Sequence, residues 1–380
     1  MLKKRIICVF GTRPEAIKMA PVILELKKRA RYDLFVAVTA QHRAMLDSVL
    51  EAFNIEPDYD LNIMTENQTL GGITSSVLTG MAALFKAQKP DICLVHGDTT
   101  TTFAASLAAF YAQIPIGHVE AGLRTFDLSQ PYPEEANRKL TGALASLHFA
   151  PTISAKENLL KENVRNETIF VTGNTGIDTL SYTARENYRF KNETLRTLDF
   201  SKKTVLLTAH RRENFGAPLL SVFAAVKRLL AKNPDAQTVY PVHLNPSVRG
   251  CAFSELENTP RVFLTEPLDI VDMHNLLARS YIVLTDSGGL QEEGPALDKP
   301  VLTLRNVTER PEGVTSCALK LVGTDEQSVF TAADKLLNDA ASYEQMARAK
   351  NPFGDGKASQ RIIGGLDFYF GFEQKRPEDF

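Results

Sequence analysis

Polar side chains gather where the apolar runs of this chain end. The run Arg5–Phe10 passes straight into Gly11-Thr12-Arg13-Pro14, and the helix that Pro14 opens carries Lys18. Proline is tolerated in a first helical turn because its missing N–H would have no partner there. A helix start with free N–H groups and a guanidinium beside it attracts phosphate or carboxylate. Later runs end in Gln41-His42-Arg43, in His96-Gly97-Asp98 and in His118-Val119-Glu120, and the next helix opens with Pro133-Glu134-Glu135. Asp98 could simply cap the helix over 100–111, and Glu134 and Glu135 could complement the positive end of theirs. Taken together, three carboxylate-bearing turns beside Arg13 read as an acid/base site. Like charges sharing a poorly solvated cleft raise some of their pKa values, which keeps a carboxyl protonated near neutrality.

The second half carries a different chemistry. Asp286-Ser287-Gly288-Gly289 ends an apolar run and starts a helix. Two glycines allow close backbone approach and Ser287 adds a hydroxyl, which makes a diphosphate cradle. Glu293, further along that helix, could take a ribose hydroxyl pair. His210 and Arg212, and later Arg305 and Arg310, bring further polar groups to the same edge, and His243 ends the second run of this half. His148 and His274 read as core or capping residues. A metal site is not expected, because no H-E-x-x-H and no cysteine–histidine cluster occurs. Nor does a nucleophile elbow, a P-loop or a dinucleotide fingerprint after the first run, so hydride transfer and NTP hydrolysis lose support and no cofactor is expected.

These turns need elements to hold them. With 380 residues the chain is too long for one ordinary core, so two domains are the default. Hydrophobic content of 44% with 23% charge is that of a soluble globular protein. A net charge of −2 gives no reason to expect nucleic acid or a membrane surface as partner. No apolar run approaches the roughly 20 residues that span a bilayer, and the N-terminus reads as a first strand rather than a signal. Four scattered cysteines fit reduced thiols in a cytoplasmic protein. Short β-branched runs alternate with helical stretches, first over Arg5–Gly173 and again over Thr204–Gly323, the pattern of parallel sheets with crossover helices. The expected fold is α/β: two Rossmann-like doubly wound parallel-sheet domains with a cleft between them. The first spans 1–173 and the second 174–357, with a C-terminal helix in 358–380 crossing back to the first. Ligands of such sheets bind beyond the C-terminal strand ends, and a site shared by two domains implies closure on the substrate.

In this order the motifs resemble the bacterial non-hydrolysing UDP-N-acetylglucosamine 2-epimerases. The matching strings include FGTRPEAIKMAP, LVHGDTTTT, GHVEAGLRT, PEEANR, TGNTGID, HRREN, YPVHLNP, LTDSGGLQEE and TERPE, and they run from Phe10 to Ser359. The resemblance implies a glycosyltransferase-B-like arrangement, usually a homodimer, that needs neither metal nor nicotinamide. It implies reversible conversion of UDP-GlcNAc to UDP-ManNAc through elimination of UDP to 2-acetamidoglucal and re-addition, which commonly supplies envelope or capsule polysaccharide. By motif, Asp98, Glu120 and Glu134 become the acid/base carboxylates, with their individual roles left open, and His210 assists the departing UDP. Arg13 and Lys18 serve the phosphate and the closed site. Ser287, Gly288, Gly289 and Glu293 hold diphosphate and ribose, with Arg310 nearby. Gln41, His42, Arg212 and His243 would line an activator site for a second UDP-GlcNAc, where Ala44 replaces an expected longer polar residue. A hydrolysing 2-epimerase, a diacetamido-uronate epimerase, a glycosyltransferase and a binding-only regulator are the rival readings.

Overall fold

Two parallel sheets organise the chain, seen in a computed structural model that describes residues 3–39, 43–64, 68–308 and 310–380. The first holds β1 (Lys4–Phe10), β2 (Tyr32–Val38), β3 (Tyr59–Asp60), β4 (Ile92–His96), β5 (Ile116–Val119), β6 (Leu147–Ala150) and β7 (Ile169–Val171), in the order β3-β2-β1-β4-β5-β6-β7. The second holds β8 (Lys203–Thr208), β9 (Ala236–Pro241), β10 (Val262–Thr265), β11 (Ile282–Thr285), β12 (Val301–Thr303) and β13 (Leu319–Leu321), in the order β10-β9-β8-β11-β12-β13. Strand order reverses between β1 and β4 and again between β8 and β11, the points where doubly wound sheets bind their ligands. Each strand expected from an apolar run forms. β3 was not expected: Tyr59–Asp60 lacks apolar alternation and is a strand only through its pairing with Ala37 and Val38.

The central strands are buried on both faces, which is why they read as unbroken apolar runs. Ile6, Cys8 and Phe10 pack with Met19, Ile23 and Leu26 of helix Arg13–Lys27. Ile7 and Val9 pack with Val77, Met81 and Phe85 of helix Leu70–Gln88 on the other side. Cys8 and Cys93 fall in these opposite layers as free thiols, and burial pushes both pKa values up. One expectation is corrected here. Helix Leu70–Gln88 is long and apolar enough, by length and composition, to cross a membrane. Its buried residues Ile73, Val77, Met81, Leu84 and Phe85 recur at three- and four-residue spacing, the stripe of a helix that covers a sheet.

The chain divides into two compact units, residues 1–182 with 353–380, and residues 183–352. The first unit therefore extends beyond Gly173, because helix Thr175–Thr183 is fastened to it. Thr179 Oγ1 donates to the Ile17 carbonyl at 2.9 Å, and the Tyr182 ring meets Phe53 edge-on at 6.4 Å. The return begins at Phe353, earlier than expected, since its carbonyl accepts from Asn174 N at 2.7 Å. Buried Asp178 then accepts from Ala358 N at 3.0 Å and Ser359 N at 2.6 Å, satisfying two donors at the start of helix Ala358–Tyr369. Ile362, Ile363 and Leu366 of that helix are fully buried in the first core, each worth about 1.5–3 kcal/mol. Beyond it, Phe380 N donates to the Val171 carbonyl at 2.8 Å and so covers the edge strand β7.

Asp178→Ala leaves those two buried N–H groups without a partner. It should lower the unfolding free energy by about 2 kcal/mol or more in urea titrations, and an unchanged midpoint would show that the returning helix is not held this way.

Candidate active site

The first turn, Gly11–Pro14, is built around a buried carboxylate that sequence reasoning passed over. Thr12 caps helix Arg13–Lys27, and Glu15 reaches back to complete a capping box. Glu15 accepts from Gly11 N at 3.0 Å and Thr12 N at 2.8 Å, and from the hydroxyls of Thr99 at 2.7 Å and Thr102 at 3.1 Å. Two N–H groups expected to await an anion are thus already satisfied. Gly11 is required by crowding: a Cβ there would lie 2.0 Å from Thr39 Oγ1. Arg13 is half-buried and has no hydrogen bond or ion pair among the described residues.

Lys18, one turn further on, points to a carboxylate. Its Nζ makes a close ion pair with Glu120 Oε2, which also accepts from Asn174 Nδ2 at 3.3 Å. Glu120 follows β5 with φ of +62°, a left-handed conformation costing a non-glycine residue about 1–3 kcal/mol. Asp98 follows β4, the strand that pairs with β5. Its Oδ2 accepts from Arg138 Nε at 3.0 Å and Nη2 at 2.7 Å, and Asn137 Nδ2 donates to its carbonyl at 2.9 Å. The helix over 100–111 is capped by Thr99, so Asp98 is not its N-cap. Burial raises the Asp98 pKa and repulsion from Glu120 adds to this, while the Arg138 guanidinium opposes it; the balance stays above the usual aspartate value.

Helix Glu134–Leu144 assigns its two leading glutamates different work. Glu135 is fully buried and accepts from Phe126 N at 3.0 Å and Arg138 Nη1 at 3.3 Å. Glu134 is half-buried and has no hydrogen bond or ion pair among the described residues. The structure therefore joins Asp98 and Glu120 through shared electrostatics. Arg138 was missed, although asking which cation balances Asp98 would have led to the end of PEEANR.

In the second unit, Ser287 precedes helix Gly288–Ala296 without a side-chain capping bond. The Arg310 guanidinium lies on Gly288, where a Cβ would stand 2.8 Å from it, and Arg310 Nε donates to Glu292 Oε1 at 2.7 Å. Glu293 faces His274 Nε2 at 3.5 Å, and His274 Nδ1 bonds Thr183 Oγ1 at 2.7 Å, so His274 is a buried connector. Asp286 proves to be a support for the neighbouring turn. Fully buried, it accepts at Oδ2 from His210 N at 2.8 Å, Arg211 N at 2.9 Å and Asn214 Nδ2 at 3.0 Å. Its Oδ1 stands 3.0 Å from His210 Nδ1, an ion-pair distance when the ring is protonated, which leaves Nε2 for a ligand. Burial alone would raise the Asp286 pKa, yet His210 and the two N–H donors hold it below the usual value. The His243 ring stacks on His210 at 5.4 Å and 14°, and His243 and Arg212 are both exposed. Gln41 and His42 lie outside the described residues, as does the side chain of Ala44. Among the described residues no group of three metal-ligating side chains occurs.

Two parallel α/β units, each with chemistry at its strand-order reversal, define a glycosyltransferase-B-like enzyme fold. The family model for UDP-N-acetylglucosamine 2-epimerase matches residues 24–367. The chain is 57% identical to the Bacillus subtilis UDP-N-acetylglucosamine 2-epimerase, across 100% of this chain and 99% of that one. It is 50% identical to S. aureus MnaA, solved with UDP, with a TM-score of 0.89 over 99% of this chain and 100% of the other. Against the Neisseria meningitidis UDP-GlcNAc 2-epimerase bound to UDP-GlcNAc it shows 47% identity and a TM-score of 0.84, over 95% and 99%. The chain belongs to the UDP-N-acetylglucosamine 2-epimerase family, a family of isomerases.

Because the folded-state pKa of Asp286 lies below its ordinary 3.8, its charge contributes stability above that value, and the contribution is lost as pH falls through the folded pKa. Asp286→Asn should cost about 1–3 kcal/mol at pH 7. In urea titrations the gap to wild type should narrow below about pH 4; a gap independent of pH would contradict this.

Proposed function

We propose that the chain interconverts UDP-GlcNAc and UDP-ManNAc by eliminating UDP and adding it back. The observation that carries the reading is the pair Asp98 and Glu120, two carboxyl groups at adjoining strand ends, each with its own cation. C2 of the sugar is not next to a carbonyl, so its proton cannot leave by simple enolisation. Breaking the C1–O bond with its electron pair going to the diphosphate, while the C2–H pair forms the C1=C2 bond, yields 2-acetamidoglucal. The C2 proton passes to a carboxylate. Re-addition reverses each transfer with the proton delivered to the opposite face.

Asp98, Glu120 and Glu134 are the proposed acid/base set. His210, oriented by Asp286, donates to the departing phosphate, where negative charge grows in the transition state. Ser287, the N–H groups of Gly288 and Gly289, and Arg310 receive the diphosphate, Glu293 the ribose, and Arg13 serves the phosphate. Lys18 serves the acid/base group rather than the phosphate, a reading supported by its pair with Glu120. Arg212 and His243 are proposed to take a second UDP-GlcNAc as activator, beside His210. We place the enzyme in the cytoplasm, supplying ManNAc for envelope or capsule polymers, without metal or nicotinamide. It works as a homodimer in this reading. Exposed Gly72, Ser75, Thr79 and Ala83 on helix Leu70–Gln88 would let a second copy approach closely.

Purified protein given UDP-GlcNAc, without added metal or nicotinamide, should form UDP-ManNAc by proton NMR. Free ManNAc with UDP, or no sugar conversion at all, would overturn the reading. Asp98→Asn and Glu120→Gln should each lower kcat by at least about a hundredfold; near-normal turnover in a folded variant would remove that residue from the mechanism.

A further inference from the structure

His96 closes β4 just before the Gly97-Asp98 turn and is 3% exposed. Beyond its own main chain, neither ring nitrogen has a hydrogen-bond partner among the described residues. Most buried polar side-chain atoms in folded proteins do have one, so an exception calls for a group that arrives during function. The nearest candidate is already in place: Glu120 Oε2 lies 3.9 Å from His96 Nε2, too far for a hydrogen bond and near enough for a small side-chain swing to make one. Burial keeps the imidazole neutral, with its pKa pushed down to about 4. A neutral ring offers one N–H and one bare nitrogen.

On the proposed reading, Glu120 passes between an ionised and a protonated form. The ionised form is served by Lys18 and by Asn174 Nδ2, both donors. The protonated form carries an O–H of its own, and an ammonium group has no lone pair to receive it. We propose that His96 is the positioning residue that accepts this hydrogen bond at Nε2, so that Lys18 and His96 hold Glu120 in its two protonation states in turn. The inference rests on the acid/base role of Glu120. The substrate proton stays on the carboxyl group throughout, and His96, protonated at Nδ1, receives a hydrogen bond rather than the proton.

The charged and titratable groups facing Glu120 come from every neighbouring element. Lys18 stands on helix Arg13–Lys27, Asp98 in the turn after β4, and Arg138 on helix Glu134–Leu144, with His96 at the end of β4. Lys18 and Arg138 favour the anion, and charged Asp98 favours the acid. His96 favours the acid by accepting from it. His118, next to His96 in this field, is itself held neutral by burial, with its pKa near 3.

His96→Phe keeps a ring and removes the acceptor, whereas His96→Asn restores an acceptor oxygen. Carbon-13 NMR of protein labelled at the glutamate carboxyl, with Glu120→Gln assigning the signal, follows the Glu120 titration with no substrate present. His96→Phe should move that titration at least about half a pH unit lower, and His96→Asn should restore most of the shift. Turnover of UDP-GlcNAc by His96→Phe should fall about tenfold or more with KM within about twofold. In the wild-type protein the His96 Nε2 nitrogen-15 signal should move as Glu120 protonates, a readout that needs no variant to fold. An unmoved Glu120 titration in folded His96→Phe, or a static Nε2 signal, overturns the inference. If both shifts occur in a protein that does not convert UDP-GlcNAc, the inference stands and the substrate reading falls.

Discussion

Asp98 and Glu120 sit at neighbouring strand ends of the first sheet, where two negative charges in poorly solvated surroundings repel each other. The rest of the first unit's architecture follows from making that tolerable. Lys18 is brought by the helix after β1 and Arg138 by the helix after β5, so each carboxyl group meets a cation from a different crossover. The cations do not cancel the effect of burial, and Asp98 stays above the ordinary aspartate range. A group poised in this way can exchange protons at moderate pH, which a fully paired surface carboxylate does poorly.

The second unit repeats the strand order and meets a different electrostatic demand. Where the first unit gathers carboxyl groups, the second presents a helix start, Arg310 and a histidine held by a buried aspartate. Asp286 supports three donors of the turn after β8 and orients His210 as well, so folding and chemistry share one carboxylate. The fold alone would not have assigned either role, since doubly wound sheets host many reactions. The side chains at the reversals make the distinction.

Most of the strands and the polar character of their ends were legible from local sequence, because apolar runs and turn residues are local signals. What the sequence withheld was pairing. Lys18 meets Glu120 102 residues away, and no local pattern indicates that a lysine in a phosphate-like turn will serve a carboxylate. His210 meets Asp286 because β8 and β11 are neighbours in register, with Thr208 beside Thr285, and strand order is not written in any one segment. Glu134 and Glu135 look alike in sequence, yet helix phase buries one and leaves the other half-exposed. The unit boundary moved for a similar reason, since Thr179 and Asp178 fasten their helix to partners in helix Arg13–Lys27 and at the start of helix Ala358–Tyr369.

The central claim is that these carboxyl groups exchange the C2 proton of the sugar with solvent. Running the reaction in D₂O and reading the C2 position of both nucleotide sugars by NMR tests it most directly. The account predicts UDP-ManNAc carrying deuterium at C2, with deuterium entering the UDP-GlcNAc pool as equilibrium is approached. Epimerisation that retains the original C2 hydrogen in both sugars would contradict it.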